Sequence, residues 1–336
     1  MRGVLLTAII AVGSFAASAQ ESTPPARDFK TYQPHMPAAR IDTSEAPVID
    51  GDLSDTAWAK AHVIDELYQL EPVQGVPGTE RTIFRVMYDA NFLYVSAYCY
   101  DSDPSEIRAT IKARDGDIYR NDFIRIYIDP GLTRRDAYAF EINPLGARLD
   151  ALIENNANYR QDWDTIWHAH SRLVADGWVT EVAIPFRSLS YEPDKADWGF
   201  DLYRFIRRKT ERIRWSAIDK TLQPGDVSRA GTIEGIRDLE TGLGLEIQAY
   251  ATGIAKREWR APRETDLTLQ PSANLYYKIT PALTGTLTFN TDFSDTPLDE
   301  RRVNTGRFAL FYPETRDFFL QDAAIFEFGG TPLFDD

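Results

Sequence analysis

The chain has 336 residues, which is enough for two domains and a sizeable hydrophobic core. Its formal net charge of -14 excludes nucleic acid as a partner, because the phosphates would be repelled. Aromatic residues make up 12% of the chain, a high share that is typical of β-structure and of surfaces that meet sugars or lipid.

The N-terminus has the pattern of a secretory signal. Arg2 gives a positive start, residues 4–17 form an apolar run, and Ala17-Ser18-Ala19 is a small-residue cleavage site. We therefore predict a signal peptide over residues 1–19. The protein is expected to be exported, to the periplasm or the outer membrane of a Gram-negative bacterium.

The residues after the signal refine this prediction. Residues 20–44 are polar and rich in proline, which predicts a disordered leader. Cys99 is the single cysteine of the chain, so the sequence has no disulfide framework and fits a bacterial envelope protein. No later apolar run has the length of a transmembrane helix.

The central structural prediction concerns a strand at residues 122–129. Ile124, Ile126 and Ile128 alternate with larger or charged side chains, which is typical of a strand with one buried and one mixed face. Asp129-Pro130 begins a turn that ends the strand.

Further strands follow at regular spacing, with Gly, Asp and Pro in the turns and no long helix. Strands at 92–100 and 138–143 flank the central strand, and we expect the three to form a meander. Additional strands are predicted at 81–88, 148–153, 171–174, 178–184, 198–207 and 212–218. The pattern predicts an all-β fold, a β-sandwich over residues 45–238 with Trp58, Trp178 and Trp198 in its core.

The composition changes after residue 242. Segments 267–279 and 283–290 alternate apolar residues with Thr, Ser, Asn and Gln, a weak signature of outer-membrane β-barrel strands. Only about four such strands fit before the last residue, whereas a closed barrel needs about eight. We therefore predict that residues 243–336 are the start of a truncated β-barrel domain, an incomplete antiparallel barrel-like sheet.

Several short motifs resemble carbohydrate-binding modules of family nine. Residues 48–51 (Val-Ile-Asp-Gly) followed by Trp58 look like the start of such a module, and the match continues at 93–95, 122–129, 177–181 and 215–216. Residues 303–320 are similar to an uncharacterised family of exported bacterial proteins, a domain of unknown function, in which such a module precedes an outer-membrane β-barrel. The resemblance covers residues 45–336. It implies a sandwich fold and glycan binding, and no demonstrated activity.

The resemblance also implies where a sugar would bind. Family-nine modules clamp a sugar between two aromatic rings, and the first ring matches Tyr119. The second comes from a loop that matches residues 222–226, where this chain has no aromatic residue. The acid and the arginine that hold sugar hydroxyls match Arg125 and Glu141, with the charges exchanged. The predicted ligand-binding residues are Tyr119, Arg125, Glu141, Tyr203 and Lys220, the last two at the border of the site.

The polar pair has a plainer alternative. In this alternative, Arg125 and Glu141 form a cross-strand ion pair and have no role in ligand binding. Such a pair contributes less than roughly 1 kcal/mol to stability. The aromatic residues leave a similar choice. Trp163 and Trp167 lie beside acidic residues and are candidates for an exposed sugar platform, although large aromatic residues are more often buried.

Metal binding is predicted at one place. Asp101 matches a calcium-site position of the family, and Asp103 stands beside it, but residues 101–104 also have the sequence of an ordinary turn. We therefore predict no cofactor, and calcium at Asp101 and Asp103 is the alternative that the resemblance implies. His168 and His170 would face the same side of a strand, and without a third ligand we expect them to face solvent.

The sequence contains no enzyme motif: Gly-x-Ser-x-Gly, His-Glu-x-x-His, the P-loop and the dinucleotide fingerprint are absent. Our first hypothesis is a non-catalytic module that binds a glycan or oligosaccharide, linked to carbohydrate catabolism and held at the outer membrane by its C-terminal region. The second is a soluble domain of an outer-membrane channel or transport protein, with no glycan binding. Glycoside hydrolysis comes third, because acidic residues are numerous and their separation is a three-dimensional fact.

Overall fold

The computed structural model describes residues 27–161, 163–240, 245–257, 265–280 and 283–290. Within these ranges the chain is all-β, with strands, six short 3-10 helices and no α-helix. None of the helices in the described ranges is long and apolar enough to cross a membrane. The signal peptide predicted over 1–19 and the motif at 303–320 lie outside the described residues.

The strands are numbered in chain order. They are β1 His35–Pro37, β2 His62–Ile64, β3 Tyr68–Glu71, β4 Thr82–Tyr88, β5 Phe92–Tyr100, β6 Phe123–Asp129, β7 Ala137–Ile142, β8 Arg148–Glu154, β9 Asn158–Arg160, β10 His168–Val174, β11 Gly177–Pro185, β12 Trp198–Ile206, β13 Glu211–Arg214, β14 Gly231–Glu234, β15 Leu245–Arg257, β16 Thr265–Thr280 and β17 Leu283–Phe289. The 3-10 helices are Thr43–Glu45, Thr56–Ala59, Pro104–Glu106, Ile118–Arg120, Phe186–Ser188 and Arg207–Lys209.

Two sheets form the predicted β-sandwich. Sheet A has the order β1-β14-β12-β6-β7-β8-β9, and β13 pairs with both β12 and β3. Sheet B has the order β10-β11-β5-β4-β2. A third sheet, sheet C, contains β15, β16 and β17. The central strand of the sequence, β6, is also central in sheet A.

The main hydrophobic core lies between sheets A and B. Ile124, Ile126 and Ile128 of β6 enter it, as their alternation predicts, and so do Trp178 and Trp198. The predicted meander is wrong, because β5 pairs with β4 and β11 in sheet B, whereas β6 pairs with β7 and β12 in sheet A. Alternation shows which face of a strand is buried but does not show which strand it pairs with.

The segment 41–61 covers part of the outer face of sheet B. Trp58 packs there, buried as predicted, and its Nε1 donates a hydrogen bond of 2.7 Å to the carboxylate of Glu181 on β11. The same carboxylate accepts hydrogen bonds from the backbone N–H groups of Asp50 (3.0 Å) and Gly51 (2.8 Å). The Val-Ile-Asp-Gly and Trp motifs are therefore structural, since they attach this segment to the sheet.

The prediction of a disordered leader over 20–44 is wrong for the described residues 27–44. Strand β1 lies parallel to β14, and Met36 at its centre is 1% exposed in the core between the sheets. The strand is short and lies at the edge of sheet A, where Pro37 costs no hydrogen bond that a central strand would need. Burial of the Met36 side chain stabilises this strand, although its proline-rich sequence disfavours regular structure.

Sheet C has one apolar face along its described length. Ile247, Leu269 and Leu287, one from each strand, are 63%, 72% and 68% exposed. The intervening residues of β16 and β17 are mostly Thr, Gln, Ser and Asn, so the opposite face is polar. The sequence alternation predicted for 267–279 and 283–290 is therefore that of β16 and β17, which pair antiparallel.

Candidate functional site

The predicted site lies on the outer face of sheet A, the face turned away from sheet B. Arg125 on β6 is directly opposite Glu141 on β7, and Arg125 Nε lies 2.6 Å from Glu141 Oε1. The two side chains are 7% and 0% exposed. The predicted cross-strand ion pair is thus present, but it is buried. Its energetics differ from those of an exposed pair, because removing one partner would leave a buried charge unpaired, which is costly.

Five aromatic rings surround the guanidinium of Arg125. Its Cζ lies 5.1–5.8 Å from each ring centroid, and its Nη1 donates a hydrogen bond of 2.7 Å to the hydroxyl of one of them. The rings are those of Tyr119, Phe123, Tyr127, Tyr159 and Tyr203. Burial acts to lower the pKa of Arg125, but Glu141 and the tyrosines raise it well above the usual value, so the side chain stays charged.

Tyr119 and Tyr159 are the two rings of this group that remain partly exposed. Both hydroxyls donate hydrogen bonds to Glu141 Oε1, that of Tyr119 over 3.3 Å. Burial and the nearby carboxylate raise the pKa of Tyr119 to about 12 and that of Tyr159 well above its usual value, so both remain protonated donors at neutral pH. The site therefore has two partly exposed aromatic residues, and the second, Tyr159, comes from β9.

Tyr159 was not identified from the sequence. The resemblance placed the second aromatic in the loop 222–226, and that loop instead contributes the carbonyl of Pro224, which accepts a 2.8 Å hydrogen bond from Tyr127. Strand β9 has only three residues and follows a turn with positive φ at Asn155 and Asn156. Such a short strand gives no alternation signal, although the pair of asparagines, which tolerate positive φ, could have indicated a turn before it.

Two polar side chains of the site have hydrogen-bonding capacity left over or lie at its exposed rim. Glu141 Oε2 is buried and has no hydrogen-bond partner among the described residues. Gln161, which is exposed, donates a 2.8 Å hydrogen bond to the Tyr119 hydroxyl and stands at the rim. Of these groups, the partly exposed aromatic rings and the exposed amide are the ones that a sugar ring and its hydroxyls can reach.

Tyr203 lies inside this group of residues, not at its border. It is opposite Arg125 on the neighbouring strand and is 8% exposed, and burial raises its pKa. Lys220 is exposed in a loop, where its Nζ donates a 2.7 Å hydrogen bond to the carbonyl of Pro72. Its described contacts are with the loop after β3 and not with the ion pair.

A row of directly opposed side chains crosses sheet A from Glu141 through Arg125 and Tyr203. Tyr203 is opposite Arg214 on β13, and Arg214 is opposite Tyr68 on β3. Arg214 is itself paired with the buried Asp201, at 2.5 Å. Burial raises the pKa of Asp201, and Arg214 opposes that shift. We call the sequence Tyr68–Arg214–Tyr203–Arg125–Glu141 the cross-strand row.

Asp101 and Asp103 form a turn linked to an arginine. Asp101 Oδ1 accepts hydrogen bonds from Arg208 at 3.1 and 2.6 Å and from the backbone N–H of Asp103 at 2.8 Å. Asp103 is exposed and accepts a hydrogen bond from Ser105. No group of three or more His, Cys, Asp or Glu in the described residues could hold a metal ion. Calcium binding here stays a prediction, and it would require Arg208 to move.

The other candidates are resolved by burial. Trp167 is 1% exposed and donates a 3.1 Å hydrogen bond to Asp150, so its prediction as an exposed platform is wrong. Trp163 is half-buried against Phe140. His168 and His170 are exposed side chains on β10, the edge strand of sheet B.

Comparison with known proteins gives one family and several similar structures. The family model described as carbohydrate family 9 binding domain-like matches residues 49–233, more than half of the chain. A carbohydrate binding module family 9 from Caldicellulosiruptor kristjanssonii in complex with cellotriose is 19% identical, with a TM-score of 0.42, over 60% of this chain and 93% of that one. The same organism's module in complex with glucose is 21% identical, with a TM-score of 0.41, over 58% of this chain and 94% of that one. A protein from Bacteroides uniformis, whose description proposes carbohydrate binding, is 14% identical, with a TM-score of 0.48, over 60% of this chain and 99% of that one. No curated protein sequence matches the chain.

Proposed function

Because the chain belongs to the carbohydrate family 9 binding domain-like family, we propose that it is a non-catalytic module that binds glycan on the outer face of sheet A. The observation that carries the proposal is the pair of partly exposed rings, Tyr119 and Tyr159, above the buried Glu141. A sugar ring would stack on these aromatic faces, and its hydroxyls would form hydrogen bonds with the exposed Gln161 amide at the rim.

The arginine in the site limits the affinity we expect. Arg125 fills the space among the five rings and already holds Glu141 Oε1, so a sugar can reach only the outer edge of the group. We therefore expect weak binding, with a dissociation constant on the order of millimolar, or about -4 kcal/mol. The same observation favours the second candidate function, a domain whose aromatic group serves only to stabilise the sheet.

Calorimetry with cellotriose, the ligand of one similar structure, separates the two candidates. We expect the full chain to bind it, Tyr119→Ala to weaken binding by about 1–3 kcal/mol through the lost stack, and Tyr119→Phe to retain most of the affinity. Tyr98→Ala removes a half-exposed tyrosine from the outer face of sheet B and is the matched control. If cellotriose and glucose both fail to bind the parent chain, the stabilising role takes the place of this proposal.

We further propose that the module is held in the bacterial envelope at the outer membrane, through sheet C. The apolar face of β16 runs from Leu267 to Ile279, and these two end residues are 78% and 58% exposed. At about 3.3 Å per residue this is about 40 Å of strand, or about 28 Å across a membrane at a tilt of about 45°. The apolar band of outer-membrane proteins is about 25 Å tall. This agreement supports hydrocarbon as the partner of the face.

Charge substitutions on the two faces of β16 test this part of the proposal. Leu269→Lys adds a charge to the apolar face, and Gln270→Lys adds the same charge to the neighbouring residue on the opposite face. We expect the first to reduce partitioning of the full chain into lipid vesicles by up to about 2–4 kcal/mol and the second to have little effect. Equal partitioning of both variants and the parent would contradict the assignment. A link to carbohydrate catabolism would follow from the bound glycan and is part of the same proposal.

A further inference from the structure

A second group of aromatic residues lies at the opposite end of the cross-strand row from Glu141. Tyr68 ends the row on β3, and four strand spacings separate it from Glu141, about 19 Å. Tyr32 and Phe29, from the segment before β1, pack against Tyr68 with ring centroids at 6.2 and 5.0 Å. We call Phe29, Tyr32, Tyr68 and the adjacent Glu66 the Tyr68 cluster.

The Tyr68 cluster holds a cation in this structure. The Cζ of Arg27 lies 5.0 Å from the ring centroid of Tyr32 and 5.1 Å from that of Tyr68. Its Nη1 donates hydrogen bonds to both hydroxyls, at 3.2 and 2.5 Å, and its Nη2 lies 2.7 Å from a carboxylate oxygen of Glu66. Two aromatic faces with a carboxylate beside them form a receptor for an organic cation.

The cation in the Tyr68 cluster is accessible to solvent. The side chains of Arg27 and Glu66 are 38% and 64% exposed, in contrast to the buried Arg125 and Glu141 at the other end of the row. An exposed ion pair is weak, because water competes for both charges. Another cation can therefore replace the guanidinium of Arg27 without unfolding the domain.

The charge of the whole chain agrees with a cationic ligand. The net charge of -14 attracts positively charged ligands at low salt. A neutral sugar could only donate a hydroxyl hydrogen bond to Glu66, whereas an ammonium group would gain the charge attraction of the carboxylate together with the aromatic faces.

Resting on the proposed function, we infer that the Tyr68 cluster is a subsite for the ammonium group of an amino sugar. The favoured ligands are then oligosaccharides with free amino groups, long enough to span the roughly 19 Å between the two ends of the row, because Arg125, Tyr203 and Arg214 between them are buried. The guanidinium of Arg27 stands where that ammonium group binds. A ligand of this class displaces Arg27 and takes its contacts with Tyr32, Tyr68 and Glu66.

Two probes of equal length test the inference: a glucosamine oligosaccharide and a cello-oligosaccharide. Binding to the full chain is measured by calorimetry in mildly acidic, low-salt buffer. We expect the glucosamine oligosaccharide to bind up to about fivefold more tightly, because an exposed cation–π contact is worth about 1 kcal/mol and the loss of the same contacts by Arg27 reduces the net gain. High salt should reduce this preference, since the charges at the cluster are exposed.

Three variants locate the preference. Glu66→Gln should remove most of the preference, and Arg27→Ala, which removes the internal competitor, should increase it. Neither should alter binding of the cello-oligosaccharide by more than about twofold, because a neutral sugar makes no ionic contact there. Arg40→Ala, which removes another exposed arginine paired with Asp238, is the matched control and should change nothing.

The outcomes distinguish this inference from the function on which it rests. Equal affinity for the two probes, or a preference that survives unchanged in Glu66→Gln, overturns the inference and leaves glycan binding in place. Failure of both probes to bind overturns the two together. A preference lost in Glu66→Gln and increased in Arg27→Ala supports the amino-sugar subsite.

Discussion

Replacing Arg125 with methionine would leave the Glu141 carboxylate buried without its cation. Glu141 is 0% exposed, and after the substitution only the hydroxyls of Tyr119 and Tyr159 would remain as its donors. Removal of one partner of a buried ion pair typically costs 3–5 kcal/mol. Because two donors remain, we expect the free energy of unfolding to fall by about 3 kcal/mol, near the lower end of that range.

Urea unfolding of the full chain, followed by the fluorescence of the buried tryptophans, measures this loss. Two further variants make the result specific. Arg125→Met combined with Glu141→Gln removes both charges and keeps an acceptor for the tyrosines, so it should recover most of the stability. Arg40→Met breaks an exposed ion pair with Asp238 and should cost at most about 1 kcal/mol.

A single substitution at Arg125 that costs no more than the one at Arg40 would contradict this expectation. That result would mean that water reaches Glu141 and that the ion pair is effectively a surface pair. A double variant less stable than the single one would contradict it equally, because the penalty would then come from lost packing among the rings and not from an unpaired charge.

Two further predictions concern the framework of the sandwich. Burial acts to raise the pKa of Glu80, but hydrogen bonds from Lys209 and Ser102 lower it from 4.5 to about 2, so ionised Glu80 stabilises the fold above pH 4.5. Glu80→Gln should therefore lower the free energy of unfolding at neutral pH by about 3 kcal/mol, and the difference should disappear as the pH falls from 4.5 to about 2. Gly177→Ala should prevent folding, because its Cβ would lie 2.1 Å from a backbone carbonyl oxygen of β5 at a φ of +152°, whereas Gly253→Ala, with no atom within 4 Å, should express normally. Circular dichroism and solubility of the two glycine variants check the contrast.

Much of the sandwich could be predicted because its strands are long and alternate. Strand β5 has the predicted bounds, and β6 buries the predicted isoleucines. The pairing of Arg125 with Glu141 also followed from two strands joined by a short turn. These features are local, and a single period of two along the sequence determines them.

The predictions that failed depended on tertiary contacts. The partners of β5 are set by which sheet it joins, and the burial of Arg125 and Glu141 is set by the segments and rings that cover them. Strands β1 and β9 have three residues each, too few to show a period, yet they contribute Met36 to the core and Tyr159 to the site. Short strands are stabilised by packing, which the local sequence does not encode.

The measurement that tests the central claim most directly is the structure of the full chain in complex with cellotriose. We predict a sugar ring against the partly exposed faces of Tyr119 and Tyr159, with one hydroxyl within hydrogen-bonding distance of the exposed Gln161 amide. A sugar bound at another surface while these two rings stay unchanged, or an empty site at saturating cellotriose, would contradict glycan binding on the outer face of sheet A.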